Sequence, residues 1–289
     1  MNVLQEGWFS ESDHLWPGQK LSFEVTDVLY EGRSAFQDVL VFHNKRYGNV
    51  LVLDGVIQCA EKDEFTYHEM MTHVPLFCHP NPAEVLIVGG GDGAILREAV
   101  KHSAVKRVTL CEIDGTVIDV CKKHLPSMMT GFDSDKLTLH IGDGFEFLKK
   151  HTGKFDVVIT DVSDEAGPAE SVFNTTYFQM VKNALNSNGI HVTQEDGPWL
   201  KGSKCFYELD FAKTVFPNSS YYYASVPSFP SGEIGFAISA CSSDIRFEEP
   251  LRKITNEEIN AMGLKYYNTD VHRASFVLPE FTRKILAAP

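Results

Sequence analysis

Long hydrophobic runs are missing from this 289-residue chain: its longest apolar stretches are strand-sized, well short of the roughly 20 residues a bilayer-spanning helix needs. The first residues, MNVLQEGWFSESD, lack the basic, apolar and small-residue succession of a secretory leader. Neither a membrane nor an export route is therefore expected. Cysteine is sparse and unpaired: six are scattered with no Cys-x-x-Cys. That argues against a disulfide framework or a zinc site, and a reducing cytoplasm fits best. Positive charge is short too. With 26 Lys and Arg against 39 Asp and Glu, the formal net charge is −13, which leaves little to neutralise phosphates and excludes nucleic acid as the expected partner. Cationic small molecules are compatible with that charge. No internal repeat and no low-complexity segment interrupts the chain.

What is present divides into two characters. The first sixty or so residues alternate polar and apolar, as in KLSFEVTDVLYEG and FQDVLVFHNKRYGNVLVLDGVIQ. Period-two patterning broken by Gly and Asn reads as short antiparallel strands and hairpins. Residues 1–62 are expected to form a small β domain that packs on its neighbour or on another subunit. DEFTYHEMMTHVPLF then reads as a helix capped by Asp63, with Phe65, Met70 and Val74 sharing a buried side. From Glu84, β-branched runs (EVLIVGGG, KRVTLCEID, KLTLHIGDG, FDVVITD, GIHVTQ) alternate with helix-like stretches such as AILREAVKH and VIDVCKKHL. Strands alternating with helices mean βαβ units, so residues 63–289 are expected to be an α/β domain on a mainly parallel sheet. SSYYYASVPSF and GEIGFAISACS are expected to add antiparallel strands at one edge.

Ligands of open α/β sheets bind outside the carboxyl ends of the strands. Four runs end there in acids: Asp92, Glu112, Asp143 and Asp161. Each alone could be a helix cap or a turn former. At successive strand ends they would face one crevice, and a binding site is the better reading. Gly89, Gly90, Gly91 and Gly93 make the strand-to-helix turn, where a missing Cβ lets a ligand approach the backbone. GGGDG is not GxGxxG, so a pyrophosphate cradle is not indicated. Glu112, about twenty residues on, suits the two hydroxyls of a ribose. Asp143, with Gly144 beside it, suits an adenine amino group. Together these describe a nucleoside site without phosphate ligands and favour an S-adenosyl sulfonium compound.

At GWFSE, LWPGQ, FQDVLVF, YGNVLVLDGVIQ, DEFTYHEM, VLIVGGGDG, CEID, GDGFEFLK, PSGEIGF and LKYYNTDVHRASFVLPEF the chain resembles the aminopropyltransferases of the spermidine synthase family, nearly end to end. The resemblance implies a Rossmann-like, methyltransferase-type domain beside the N-terminal strands, assembled as a homodimer or higher homo-oligomer. It implies decarboxylated S-adenosylmethionine as co-substrate rather than a tightly bound cofactor, methylthioadenosine as product, and putrescine as acceptor. Asp161 then matches the family's base, helped by Tyr67, and Asp164 its anchor for the acceptor's distal ammonium. Gln37 and His68 would flank the donor; Trp16, Tyr67, Gln194, Glu195 and Phe229 stand at acceptor positions. Asp92 would bind the donor's ammonium and repel the carboxylate of ordinary S-adenosylmethionine. That weighs against methyl transfer.

The family pattern is departed from at Val162 and Glu165 in the loop DVSDEAGP, at Glu195 in QED, and at Phe229 and Glu233 in SFPSGE. Drift within a working spermidine synthase is one reading. Another is a changed acceptor or reaction, with Glu165, Glu195 and Glu233 suiting a longer or more highly charged amine. A third is a non-catalytic partner subunit, against which the retained Asp161, Tyr67 and Asp164 speak. Cys111 and His272 are expected to be packing residues.

Overall fold

The structure, a computed structural model, describes residues 4–11, 16, 18–162, 174–201 and 206–287. The amino-terminal part contains short strands β1 (Leu4–Gln5), β2 (Trp8–Ser10) and β3 (Ser22–Glu24), then β4 (Asp27–Arg33), β5 (Asp38–Asn44), β6 (Gly48–Leu53) and β7 (Val56–Ala60). The last four form an antiparallel meander in chain order, and the first three form their own sheet. Alternation gives the meander two apolar faces. Leu40, Phe42, Val50 and Val52 meet Phe9 and Phe23, while Val39, Val41, Leu51 and Leu53 meet Val117, Ile118 and Cys121 of the following part. Two-sided burial explains why so small a sheet is ordered against a neighbour.

The rest is a doubly wound α/β layer. In chain order it contains α1 (Glu64–Cys78), β8 (Glu84–Gly89), α2 (Ala94–Val100), β9 (Arg107–Glu112), α3 (Gly115–His124), β10 (Leu137–Ile141), α4 (Gly144–Leu148) and β11 (Phe155–Asp161). There follow α5 (Thr175–Ala184), β12 (Leu185–Glu195), α6 (Pro198–Lys201), α7 (Tyr207–Val215), β13 (Asn218–Ser225) and β14 (Glu233–Ala240), then α8 (Asn256–Met262), α9 (Thr269–Ser275) and α10 (Glu280–Leu286). The sheet order is β10-β9-β8-β11-β12-β14-β13, parallel from β10 to β12 and antiparallel beyond. The two added edge strands appear as expected. The order reverses between β8 and β11, so the crevice that such a sheet offers a ligand opens at their carboxyl ends.

Helix α1 differs from expectation. It is not amphipathic but buried nearly all round, with only Phe65 and Tyr67 less than fully covered. One side packs on the sheet and the other is roofed by the carboxy-terminal segment. Its polar side chains are matched accordingly: Glu69 accepts the backbone N–H groups of Lys265, Tyr266 and Tyr267 at 2.7–2.9 Å. Asp63 stands at the N-cap position but makes no capping bond. Cys111 is buried on β9. His272 is buried as well, and its ring contacts the Tyr267 hydroxyl and the Phe247 carbonyl. Both are packing residues.

Candidate active site

A cavity of about 460 Å³ opens at the switch point. The tight pairing of β8 with β11 builds its floor. Gly89 lies opposite Asp161 in register, with φ +82, and a Cβ there would sit 1.9 Å from the Asp161 carbonyl oxygen. Only glycine lets the chain turn here. Gly91 leaves room for a carboxylate: a Cβ would lie 2.9 Å from Glu112 Oε2.

All four strand-end acids line this cavity. The capping role and the site role coexist in two of them. Asp92 Oδ1 accepts the Ala94 N–H at 2.9 Å while Oδ2 turns to His68 at 3.3 Å. Asp143 Oδ1 caps α4 through Phe145 N–H at 2.7 Å, and Gly144 lines the wall beside it. Glu112 Oε1 accepts the Asp114 N–H at 2.8 Å, and burial pushes its carboxyl up to about 7. Gln37 reaches the site from the turn before β5, held by a bond from its Nε2 to Asp114 Oδ2 of 3.0 Å.

Tyr67 and His68 enter from α1. The Tyr67 hydroxyl donates to Asp161 Oδ1 at 2.6 Å, with Gln194 Oε1 farther off at 3.5 Å. Burial and the facing Asp161 carboxylate push the phenol well above its usual range, so it stays protonated and donates. Asp161 itself is pushed up to about 6, chiefly by burial and then by the nearby Asp92 carboxylate. His68 lies between two acids, Nδ1 at 2.8 Å from Glu64 Oε2 and Nε2 near Asp92. Burial would lower its pKa, but Asp92 and Glu64 outweigh that and raise it to about 10. Burial would raise Glu64, yet His68 and a two-pronged Arg97 hold it down at about 2.

Ligating atoms of His68, Asp92 and Asp161 lie within 4.8 Å of one another, close enough for a metal cluster. Both ring nitrogens of His68 are already engaged, however, Nδ1 by Glu64 and Nε2 by Asp92. An organic cation beside Asp92 and Asp161 suits this charge pattern better. No Lys or Arg lines the cavity among the described residues.

Of the acceptor positions, Gln194 and Phe229 line the cavity. Trp16 is buried one layer behind, edge-on to Phe229 with ring centres 5.6 Å apart. Glu195 departs from expectation. On β12, Ile190 and Val192 face α1, and Gln194 shares their side by strand parity. Glu195 therefore points to the opposite layer. Its Oε2 accepts the Leu209 N–H at 2.9 Å, and burial with the neighbouring Glu208 pushes it well up. Glu233 does not line the cavity either, whereas Val162 does. Asp164 and Glu165 lie outside the described residues. Sequence reasoning missed Glu64, Asp114, Ser228 and an apolar wall of Leu51, Leu53, Ile57 and Val117 from the meander and α3. Glu64 was findable as the residue one helical turn before His68.

Comparison with known proteins adds two family models. Residues 64–249 match one described as spermine/spermidine synthase domain, and residues 7–61 match one described as spermidine synthase tetramerisation domain. The spermidine synthase of Dictyostelium discoideum is 51% identical over 286 residues, covering 99% of both chains. That of Schizosaccharomyces pombe is 49% identical over 284 residues, 98% of this chain and 95% of the relative. A crystal structure of spermidine synthase in complex with the transition-state analogue AdoDATO superposes with a TM-score of 0.89 at 35% identity, covering 98% of this chain and 96% of that one.

Proposed function

The chain belongs to the spermidine synthase family, and from that membership we infer its reaction: an aminopropyl group passes from decarboxylated S-adenosylmethionine to a diamine, with putrescine the acceptor and spermidine the product. It is an aminopropyltransferase that uses its nucleoside as co-substrate. The observation that carries the chemistry is the 2.6 Å Tyr67–Asp161 bond at the end of β11, inside a cavity lined with acids.

The donor is a sulfonium with a free ammonium, and the acceptor carries two ammonium groups in water. Carboxylates attract all of these, far more strongly in a desolvated cleft than in water. The attacking nitrogen must first lose a proton. Against an amine titrating near 10.4, a carboxylate at its ordinary value faces an uphill transfer of about 9 kcal/mol. Raising Asp161 to about 6 reduces that to about 6 kcal/mol. Burial beside the sulfonium lowers the amine's own pKa and takes up more of the difference. The freed lone pair then attacks the carbon next to sulfur. The C–S bond breaks with its electrons going to sulfur, which leaves as neutral methylthioadenosine, and the proton stays on Asp161.

Glu112 takes the ribose hydroxyls in this reading, and Asp143 with Gly144 takes the adenine edge. Gly89 and Gly91 admit the nucleoside to the backbone, and Gln37 and His68 flank it. Asp92 receives the donor ammonium and repels the carboxylate of the parent nucleoside. Gln194, Phe229 and Trp16 wall the acceptor, and Asp164 anchors its far ammonium. A more highly charged acceptor has little support, because Glu195 and Glu233 leave the cavity and the two departures that line it, Val162 and Phe229, are apolar. The break between β7 and α1 supports a domain boundary at 62/63. Residues 7–61 carry the oligomer-forming match, and the assembly is a homodimer or a tetramer built on it. Among the described residues no helix is long and apolar enough to cross a membrane, and a cytoplasmic site of action fits the substrates.

Purified protein given decarboxylated S-adenosylmethionine and putrescine is expected to yield spermidine and methylthioadenosine in equal amounts by mass spectrometry. No product at high enzyme concentration would reject the reaction.

A further inference from the structure

Asp63 occupies a helix N-cap position, where an aspartate ordinarily accepts an N–H of its own first turn. It does not do so here. Both carboxylate oxygens instead reach Ser228, 165 residues away: Oδ2 accepts its backbone N–H at 2.7 Å and Oδ1 its hydroxyl at 2.9 Å. Both residues are buried, each 4% exposed. A carboxylate withdrawn from water needs such donors, and here they come from one residue of one turn.

That turn is the acceptor wall. Val226, Ser228 and Phe229 line the cavity, and the turn closes through Phe229 N–H to the Val226 carbonyl and Gly232 N–H to the Phe229 carbonyl, each 2.9 Å. Ser231 is left-handed within it at φ 67, a conformation that persists only where surroundings over-determine it. Asp63 lies one helical turn before Tyr67. One helix end thus carries both the partner of the base and the tether of the wall opposite.

We propose that Asp63 is a positioning residue for the acceptor: by tying the 226–232 turn to the start of α1 it sets the gap between Phe229 and the Tyr67–Asp161 pair, and so the length of amine the pocket accepts. The assignment rests on the aminopropyl-transfer reading for what fills the gap. Asp63 does not line the cavity. Asn at this position could keep both contacts, its oxygen accepting the Ser228 N–H and its amide NH₂ donating to the Ser228 hydroxyl, whereas Ala removes both.

The test uses the full-length protein with decarboxylated S-adenosylmethionine and diamines of three, four and five carbons. D63A is expected to raise the acceptor KM roughly tenfold and to cut the four-over-five-carbon preference by a similar factor. Donor affinity by calorimetry should stay within about twofold of wild type. S228A, which keeps the N–H bond, should show the same split at smaller size, and the double variant should be no worse than D63A. An unchanged acceptor KM and chain-length preference in D63A would overturn the proposal, as would equal losses for donor and acceptor. If D63A does not fold, S228A decides alone, and wild-type behaviour there overturns it. Calorimetry of the acceptor with the methylthioadenosine complex separates the two layers. A wild type that makes no product counts against the reaction, whereas equal acceptor affinity in wild type and D63A counts against the tether.

Discussion

At the proposed donor end of the cavity Gly89, Gly91, Asp92, Glu112 and Asp143 each stand within a few residues of the end of β8, β9 or β10, whereas the proposed acceptor end draws Tyr67, Gln194 and Phe229 from three distant elements. Parallel register aligns the first set, and the backbone turn alone dictates much of it. The second set depends on tethers spanning 94 to 165 residues, Tyr67 to Asp161 and Ser228 to Asp63. On the proposed assignment, the nucleoside end follows from strand register, while the acceptor end depends on long-range side-chain contacts. Of the departures from the family pattern, Val162 and Phe229 line the cavity, whereas Glu195 and Glu233 do not. The comparison can be pressed by substitutions at each end and at the base between them.

The largest effect is expected between the two ends. Asp161→Asn removes the proton acceptor and should slow product formation by about a thousandfold with donor binding kept within a few-fold, as read by single-turnover kinetics. At the donor end Gly89→Ala forces a Cβ against the Asp161 carbonyl and should cost about 3 kcal/mol of stability in urea unfolding. A full loss of that size from one methyl group would mark the turn as backbone-dictated, and a neutral result would not. Tyr67→Phe removes a charge-assisted bond and should lower kcat roughly 30-fold. Asp161 must be ionised to act, so the wild-type rate should fall about tenfold per pH unit below about 6. Because the Tyr67 hydrogen bond lowers the Asp161 pKa, this acid limb should move to higher pH in Tyr67→Phe.

The smallest effect belongs to Glu195→Gln, which should leave the acceptor KM within about twofold, since its side chain faces α7. Its signature is in stability. Folded Glu195 holds a proton that the unfolded chain releases above about 4.5, so its contribution is fully present below that pH and lost as pH rises toward the folded value. Glu195→Gln should therefore flatten the decline of stability with pH.

How much of this could be read from the residues follows the same divide. The β-branched runs, the glycine turn and the acids after them are local patterns, and parallel pairing turned them into one crevice without further information. Glu195 misled because QED was matched to a family motif position while strand parity was ignored; Ile190, Val192 and Gln194 on one side already send Glu195 to the other. Asp63 looked like a cap because the competing partner, Ser228, is remote in sequence, and local propensity carries no trace of it. The all-round burial of α1 was hidden for a similar reason, since the segment that roofs it arrives nearly two hundred residues later.

The central claim is that an acid-lined cavity holds a doubly cationic nucleoside and rejects its carboxylated parent through Asp92. Calorimetric titration of the purified protein with decarboxylated S-adenosylmethionine and with S-adenosylmethionine, side by side, tests it most directly. The account predicts at least about tenfold tighter binding of the decarboxylated compound. Equal affinities, or a preference for the parent, would contradict it.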